Sequence, residues 1–284
     1  MKVLLAATPL TGHVNPLLAL AGLLTARGDN VLFVTGAAFE AKVEAAGLRY
    51  AWIAAEGEPE FRATDLPAGA ERSRREFERR FVYAMPGQAE RLRALIAEEK
   101  PDVIVAGCMV LGILPLLLGA GPRPRIVIYN VSFLFHDRLD NAPLGFGLPP
   151  ARNAEDAARY GALKASVDVA FTDPVRRYTD GLLANEGLPG LPASLTQSIV
   201  TLPDAFVQAT VPEFEFDYGP LPPSVHFVGA LPVPAVAAAL PEWWDRRDPS
   251  RRIVLVTQGT LANWSAPVRW PGSNLMHCKL VDQA

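Results

Sequence analysis

One histidine lies where a short turn joins an apolar run to a helix-like pattern. It is His13, in the segment Thr11-Gly-His-Val-Asn-Pro16. Asn15 is a favourable N-cap and Pro16 suits the first helical position, so the pattern predicts a helix that begins there and leaves His13 in the preceding loop. The helix dipole disfavours a cation at that end, and a neutral imidazole can accept a proton. His13 is therefore a candidate general base; a hydrogen-bonded structural histidine is the alternative.

The elements that must position this histidine are apolar strands separated by helices. Residues 2–8 and 30–35 have the composition of strands buried on both faces, with a helical pattern between them. Strands that alternate with helices at this spacing predict parallel βαβ units. Further strands are predicted at residues 49–54, 101–106, 125–131 and 204–209. The predicted fold class is α/β, a parallel sheet flanked by helices, and such sheets bind ligands at the carboxyl ends of their strands.

Three further segments contain residue types that can bind ligands. Residues 132–152 lack periodicity and are rich in aromatic residues, so Phe133 and Phe135 predict either a wall for an apolar small molecule or a loop packed on the core. Residues 71–81 hold five arginines, but interleaved acids and phenylalanines four residues apart favour a solvated helix without chemistry. Residues 213–217 alternate as a half-exposed strand with its acids towards solvent, which argues against a metal site.

Composition narrows the function classes. The chain has 284 residues, 27 Lys and Arg against 30 Asp and Glu, and a net charge of −3, which gives no electrostatic case for nucleic acid or an anionic membrane. Cys108 and Cys278 define neither a disulfide framework nor a zinc spacing, as expected of a cytoplasmic protein. Residues 109–121 are too short for a membrane span, and the apolar start is a poor signal peptide.

Several well-known motifs are missing from the sequence. It contains no Gly-x-Gly-x-x-Gly or Gly-x-x-x-x-Gly-Lys-Ser/Thr loop, no Gly-x-Ser-x-Gly elbow and no His-Glu-x-x-His. A flavodoxin-like or epimerase domain of the same broad architecture is therefore a weaker interpretation, and serine-hydrolase chemistry is weaker still.

Composition also predicts the domain organisation. Residues 1–228 form the first domain, and residues 229–251, rich in proline and alanine, form an interdomain linker. Residues 252–258 have the pattern of the first strand of a second α/β domain, but the 32 residues from Ile253 onwards are too few to complete it. We therefore expect an incomplete second domain with an atypical tail, whose unpaired strand favours self-association.

Three motifs carry a resemblance to a known family. The segments at residues 11–16, 243–245 and 254–260 resemble the macrolide-type and UDP-glycosyltransferase family, in which two Rossmann-like domains face each other in the GT-B arrangement. The resemblance implies an inverting transfer of a hexose from a nucleotide diphospho-sugar, a UDP-sugar above all, to a hydroxyl of a small apolar acceptor. It implies a nucleotide-sugar co-substrate and neither a cofactor nor a metal.

The same resemblance implies roles for individual residues. His13 matches the family's catalytic base, and Thr11 and Gly12 would border the acceptor and the sugar. Gly259 and Thr260 match a turn that approaches the donor diphosphate with backbone amides and a hydroxyl.

Two departures from the family pattern qualify this expectation. Gly107 occupies the place of an aspartate that orients the catalytic histidine in the family, and the neighbouring Cys108 is a weak substitute. Most of the donor-binding domain is missing. A truncated, catalytically inactive module that binds acceptors is therefore the alternative function.

Overall fold

The computed structural model describes residues 1–53 and 66–231, together with Trp244. Residues Met1–Ala235 form one compact unit, and the second unit, Val236–Ala284, is described only at Trp244.

The described residues contain a parallel sheet of seven strands in the order β3-β2-β1-β4-β5-β6-β7. The strands are β1 (Lys2–Ala6), β2 (Asn30–Thr35), β3 (Arg49–Trp52), β4 (Val103–Gly107), β5 (Arg125–Asn130), β6 (Ala205–Gln208) and β7 (Val225–Phe227). All six pairings are parallel. The predicted α/β class is confirmed, because runs buried on both faces can only lie in a sheet that helices cover on each side.

Eight α-helices of the described residues connect these strands. They are α1 (Thr11–Ala26), α2 (Glu40–Ala45), α3 (Ala70–Phe77), α4 (Met85–Glu99), α5 (Ile113–Leu118), α6 (Ala154–Val167), α7 (Asp173–Asn185) and α8 (Leu195–Thr201). Two π-helical turns, Glu78–Val82 and Asp168–Thr172, follow α3 and α6, and short 3-10 turns occupy Ala37–Phe39 and Pro212–Phe214.

Alternate residues of each strand face two separate cores. On β1, Leu4 and Ala6 pack with α4, α5, α7 and α8, whereas Val3 and Leu5 pack with α1 and α2. Helix α1 therefore lies across one face of the sheet and begins where β1 ends. The start of α1 is held at the edge formed by the carboxyl ends of the strands, called the carboxyl edge below.

The predicted start of α1 is wrong by five residues. The helix begins at Thr11, since the Leu10 carbonyl already accepts hydrogen bonds from the amides of His13 (2.8 Å) and Val14 (2.9 Å). Asn15 does not cap it, because its side-chain oxygen accepts a hydrogen bond from Lys42 Nζ at 2.7 Å. His13 is thus the third helical residue and not part of a loop.

The strand predicted at residues 213–217 is also wrong. Pro212–Phe214 is a 3-10 turn, and Phe214 is 84% exposed. Glu215 turns inwards, where Oε1 accepts from Gln208 Nε2 at 2.8 Å and Oε2 accepts from the Tyr218 hydroxyl at 3.2 Å. The alternation of charged and aromatic residues favoured a strand, but Gln208 on β6 and the Tyr218 hydroxyl satisfy the carboxylate.

Candidate functional site

His13 lies at the carboxyl edge, in the first turn of α1. Strand β1 ends at Ala6, which pairs with Val34 on β2 and with Ala106 on β4, so the histidine follows an inner strand of the sheet. Its ring is half-buried beside Phe81, with ring centroids 6.4 Å apart and an interplanar angle of 50°. This is the place in an open α/β sheet where ligands bind.

The surroundings of His13 keep its imidazole neutral. Burial lowers the pKa of His13, and the nearby positive charge of Arg80 lowers it further, to about 4. The Nδ1 atom is buried and makes no hydrogen bond to any group in the described ranges. A neutral imidazole with one ring nitrogen enclosed can accept a proton at the other.

Gly107 ends β4 on the same face of the sheet as α1. A Cβ atom at Gly107 would lie 3.5 Å from Leu17 Cδ1 and 3.7 Å from the Ala6 carbonyl oxygen, which are ordinary contacts. Leu17 is one helical turn beyond His13 on α1. The fold thus has room for a side chain at this position, and the residue present supplies no carboxylate to the imidazole.

Cys108 does not replace that carboxylate. It packs in the core on the opposite face of the sheet, with Ile104 and Ala106. Burial raises the pKa of the Cys108 thiol to about 11, even though backbone hydrogen bonds favour the thiolate. The thiol therefore stays protonated at neutral pH and cannot balance an imidazolium charge.

Two buried hydroxyls lie at the same edge without a partner. Thr8 follows β1 and Thr35 ends β2, and they are only 2% and 0% exposed. Neither Oγ1 atom makes a hydrogen bond within residues 1–53 or 66–231. Since buried polar groups are nearly always hydrogen-bonded, unsatisfied atoms near His13 are a feature expected of a ligand site.

Thr11 and Gly12 form the first helical turn immediately before His13. Thr11 is half-buried and Gly12 is exposed. A Cβ atom at Gly12 would meet nothing within 4 Å, so there is open space beside the backbone here. Their contact with acceptor and sugar stays a prediction.

Phe133 and Phe135 follow β5 and pack edge to face, with centroids 5.4 Å apart. Phe135 is 5% exposed and belongs to the core, whereas Phe133 is 45% exposed. Phe135 therefore packs on the core, whereas Phe133 has an exposed ring, and the role of either ring as a wall for a small molecule stays a prediction.

A buried polar network fixes the loop that carries these rings. Asn130 Nδ2 donates to Gln208 Oε1 at 2.7 Å and to the carbonyls of Ser132 and Phe133 at 3.1 and 2.9 Å. Gln208 Nε2 donates to the Ser132 carbonyl and to Glu215 Oε1, both at 2.8 Å. The ends of β5 and β6 therefore hold the loop at its base.

The helix at residues 71–81, to which the sequence assigned no chemistry, contributes to the site. Phe81, in the π-helical turn after α3, contacts His13, and Phe77 contacts both Phe81 (5.1 Å) and Phe171 (5.4 Å). The four-residue spacing of Phe77 and Phe81 was the available signal. The π-helical turns that orient Phe81 and Phe171 have no such signal, and turns of this kind occur frequently at functional sites.

The rings of Phe81, Phe77 and Phe171 contact one another in turn between His13 and a cavity of about 330 Å³. Phe77 and Phe171 form part of its wall, together with residues of α6, of the second π-helical turn and of the segment that precedes α8. Its volume is within the range of small-molecule pockets. Neither Phe133 nor Phe135 lines it.

The remaining predicted residues cannot be placed. Gly259 and Thr260 lie outside the described residues. Across the described ranges, no group of three or more His, Cys, Asp or Glu side chains is placed to hold a metal ion. None of the helices in those ranges is both long and apolar enough to cross a membrane.

Comparisons with known proteins give the family. No family model matches the chain. It is 34% identical over 283 residues to the 4'-demethylrebeccamycin synthase of Lentzea aerocolonigenes, covering 92% of this chain and 64% of that protein. It is 31% identical over 276 residues to UDP-glucosyltransferase B1 of Starmerella bombicola, covering 90% of this chain and 61% of that protein. The chain therefore spans less than two thirds of the length of these curated relatives.

The fold agrees with the sequence comparison. The calicheamicin glycosyltransferase CalG4 aligns with a TM-score of 0.55 and 18% identity over 81% of this chain and 52% of that chain. At this identity the likeness concerns the fold alone, here the parallel sheet flanked by helices. The chain is thus related to the UDP-glycosyltransferase family, and the resemblance predicted from its motifs is confirmed.

Proposed function

We propose that this chain is an inverting glycosyltransferase, which binds a small apolar acceptor and transfers a hexose from a UDP-sugar to a hydroxyl of that acceptor. The observation that carries the proposal is a neutral, half-buried His13 at the carboxyl edge of a chain related to UDP-glycosyltransferases. The donor is a co-substrate, and the proposed reaction uses no metal.

In this reaction His13 acts as the general base. Its other ring nitrogen, Nε2, takes the proton of the acceptor hydroxyl while the acceptor oxygen forms a bond to the anomeric carbon. The bond from that carbon to the diphosphate oxygen breaks, and its electron pair leaves with UDP. Attack from the face opposite the leaving group inverts the configuration. Positioning of the two substrates and proton transfer to a positioned base both accelerate such a displacement.

The environment of His13 also limits its strength as a base. A pKa of about 4 means that burial and the Arg80 charge disfavour the imidazolium that must form. No carboxylate in the described residues hydrogen-bonds to the ring to offset this cost. The negative diphosphate of a bound donor would stabilise the imidazolium, so we expect basicity to depend on donor binding.

The acceptor occupies the carboxyl edge in this proposal. Thr11 and Gly12 border the reacting hydroxyl, and the exposed ring of Phe133 contacts the apolar scaffold, with Phe135 supporting it from the core. Gly259 and Thr260 approach the donor diphosphate. An exposed aromatic ring suits an apolar acceptor.

An acceptor-binding module without catalysis is the second candidate. The observation that favours it is the absence of an orienting carboxylate at Gly107, since catalytic histidines depend on such a partner for orientation and charge balance. Such a module would bind an acceptor at the same site without transferring a sugar to it.

One experiment separates these functions. The full chain is titrated calorimetrically with UDP and UDP-glucose, and UDP release is assayed with a panel of hydroxylated polyketide, sterol and flavonoid scaffolds. Donor binding and turnover that His13→Ala abolishes would support the transferase. The matched control is His226→Ala, which removes an exposed imidazole from β7 and should leave turnover unchanged.

Other outcomes lead to different conclusions. Scaffold binding without donor binding at millimolar UDP would favour the acceptor-binding module. Turnover that survives in His13→Ala would exclude His13 as the base, and failure to bind any scaffold would contradict both candidates.

A further inference from the structure

The cavity beside Phe77 and Phe171 has a lining unlike the rest of the candidate site. Aromatic and aliphatic side chains form its walls, among them Phe77, Phe171, Leu144 and Val175. The two phenylalanine rings meet nearly edge to face at 66°, so part of a ring face stays available beside the cavity. The walls therefore favour an apolar, ring-shaped occupant.

The charges of the lining have a clear imbalance. Asp137, Asp168 and Asp173 line the cavity with a single cation, Lys164. Lys164 Nζ lies 2.8 Å from Asp168 Oδ2 and 3.8 Å from Asp137 Oδ1, so two carboxylates share its charge. Asp173 has no ion pair with any residue in the described ranges. With three negative charges against one positive charge, the net charge of the lining is −2.

The protonation of Lys164 supports this account of the charges. Burial lowers the pKa of Lys164, but the hydrogen bond that Lys164 donates to Asp168 and the charges of Asp137 and Asp173 outweigh burial and leave the pKa above its ordinary value. Lys164 is thus protonated and already paired with Asp137 and Asp168. An incoming anion would have to compete with these carboxylates for Lys164, whereas an incoming cation would offset the net negative charge of the lining.

We propose that this cavity binds an aromatic molecule that carries one protonated amine. The ring packs against Phe77 and Phe171, and the ammonium group lies towards Asp173, where a carboxylate and the faces of aromatic rings both attract a cation. A volume of about 330 Å³ accommodates a bicyclic ring with a short amine arm. The proposal concerns binding alone and holds whether or not the chain transfers a sugar.

Three ligands with the same ring test this proposal on the full chain. They are 2-naphthylmethylamine, which is protonated at neutral pH, the neutral 2-naphthylmethanol and the anionic 2-naphthoate. In calorimetric titration at low ionic strength, we expect the amine to bind most tightly, the alcohol less tightly and the carboxylate least tightly. We expect the amine to bind about tenfold more tightly than the alcohol, from cation–π and carboxylate attraction together.

Three variants locate the binding. Asp173→Asn should remove most of the preference for the amine over the alcohol, and Phe171→Leu should weaken both ligands. Glu155→Gln is the matched control, because it removes an exposed carboxylate in the first turn of α6 that does not line the cavity. Circular dichroism checks the fold of each variant, and the wild-type affinity order tests the proposal even if a variant fails to fold.

The proposal is overturned by any of four results. These are no binding of the amine at millimolar concentration, equal affinity for amine and alcohol, tightest binding of the carboxylate, or an equal loss of amine affinity in Glu155→Gln and Asp173→Asn. Tightest binding of 2-naphthoate would mean that Lys164 governs the cavity.

Discussion

The low pKa of His13 is the property of the site that can be tested most directly. The folded chain holds the imidazole with a pKa of about 4, whereas an unfolded chain has the ordinary value of 6.5. Because the folded pKa is the lower one, the unfolded state binds a proton first as the pH falls. The stability that His13 contributes is therefore complete above pH 6.5 and is lost as the pH falls towards 4.

The size of this effect follows from the two pKa values. At about pH 5 the unfolded imidazole is almost fully protonated and the folded one is almost neutral, which lowers the free energy of unfolding by about 2 kcal/mol relative to about pH 7.5. Urea unfolding at both pH values measures it. His13→Gln should remove about this much of the pH dependence, while groups common to both proteins cancel, and His226→Gln controls for loss of an exposed imidazole.

The relative contributions of burial and of the Arg80 charge to the low pKa of His13 can be tested as well. Histidine labelled with ¹³C gives the pKa of His13 directly from an NMR titration. Arg80→Gln should raise this pKa but leave it below 6.5, because burial is the larger cause and the Arg80 charge the smaller one. A wild-type His13 that titrates at pH 6 or above would refute the reasoning, and an Arg80→Gln variant with an ordinary His13 pKa would show that charge, not burial, is dominant.

Three further predictions concern other positions. Gly112→Ala should lower the free energy of unfolding by about 1–3 kcal/mol in urea, because the new Cβ atom would lie 2.7 Å from the backbone carbon of Gln88. Arg138→Met should cost about 3–5 kcal/mol by the same measurement, since this buried guanidinium pairs with an aspartate and two carbonyls. Gly107→Asp should raise the NMR-measured pKa of His13, because the side chain would enter on the α1 face of the sheet; an unchanged pKa would contradict that placement.

Much of this fold could be predicted because its signals are local. The charge-free apolar runs of β1 and β2 require burial on both faces, and alternation with helical patterns then requires a parallel sheet. The errors lie where a distant partner determines the local structure. Asn15 has the chemistry of a cap, but Lys42, 27 positions away, takes its side-chain oxygen. Glu215 has the pattern of an exposed strand residue, but the amide of Leu134, 81 positions away, donates a hydrogen bond to its carboxylate.

The residues of the candidate site also differ in whether a local sequence signal identifies them. His13 could be singled out from a short motif at the end of a strand, and Gly107 could be singled out only through the resemblance to the family. Phe77 and Phe81 could not be assigned to the site, because their helix resembles an ordinary amphipathic surface helix. Their contacts depend on π-helical turns, in which one extra residue per turn redirects the side chains.

The chemistry of the site therefore depends on interactions that the motif around His13 does not contain. A motif can supply an imidazole, but its basicity is set by burial and by Arg80, 67 positions further along the chain. Both effects oppose the protonated form that a general base must reach, and Gly107 provides no carboxylate to counter them. Catalysis by His13 thus requires negative charge from outside the described residues. A bound nucleotide diphosphate has that charge, which makes donor binding the step that separates a transferase from an acceptor-binding module.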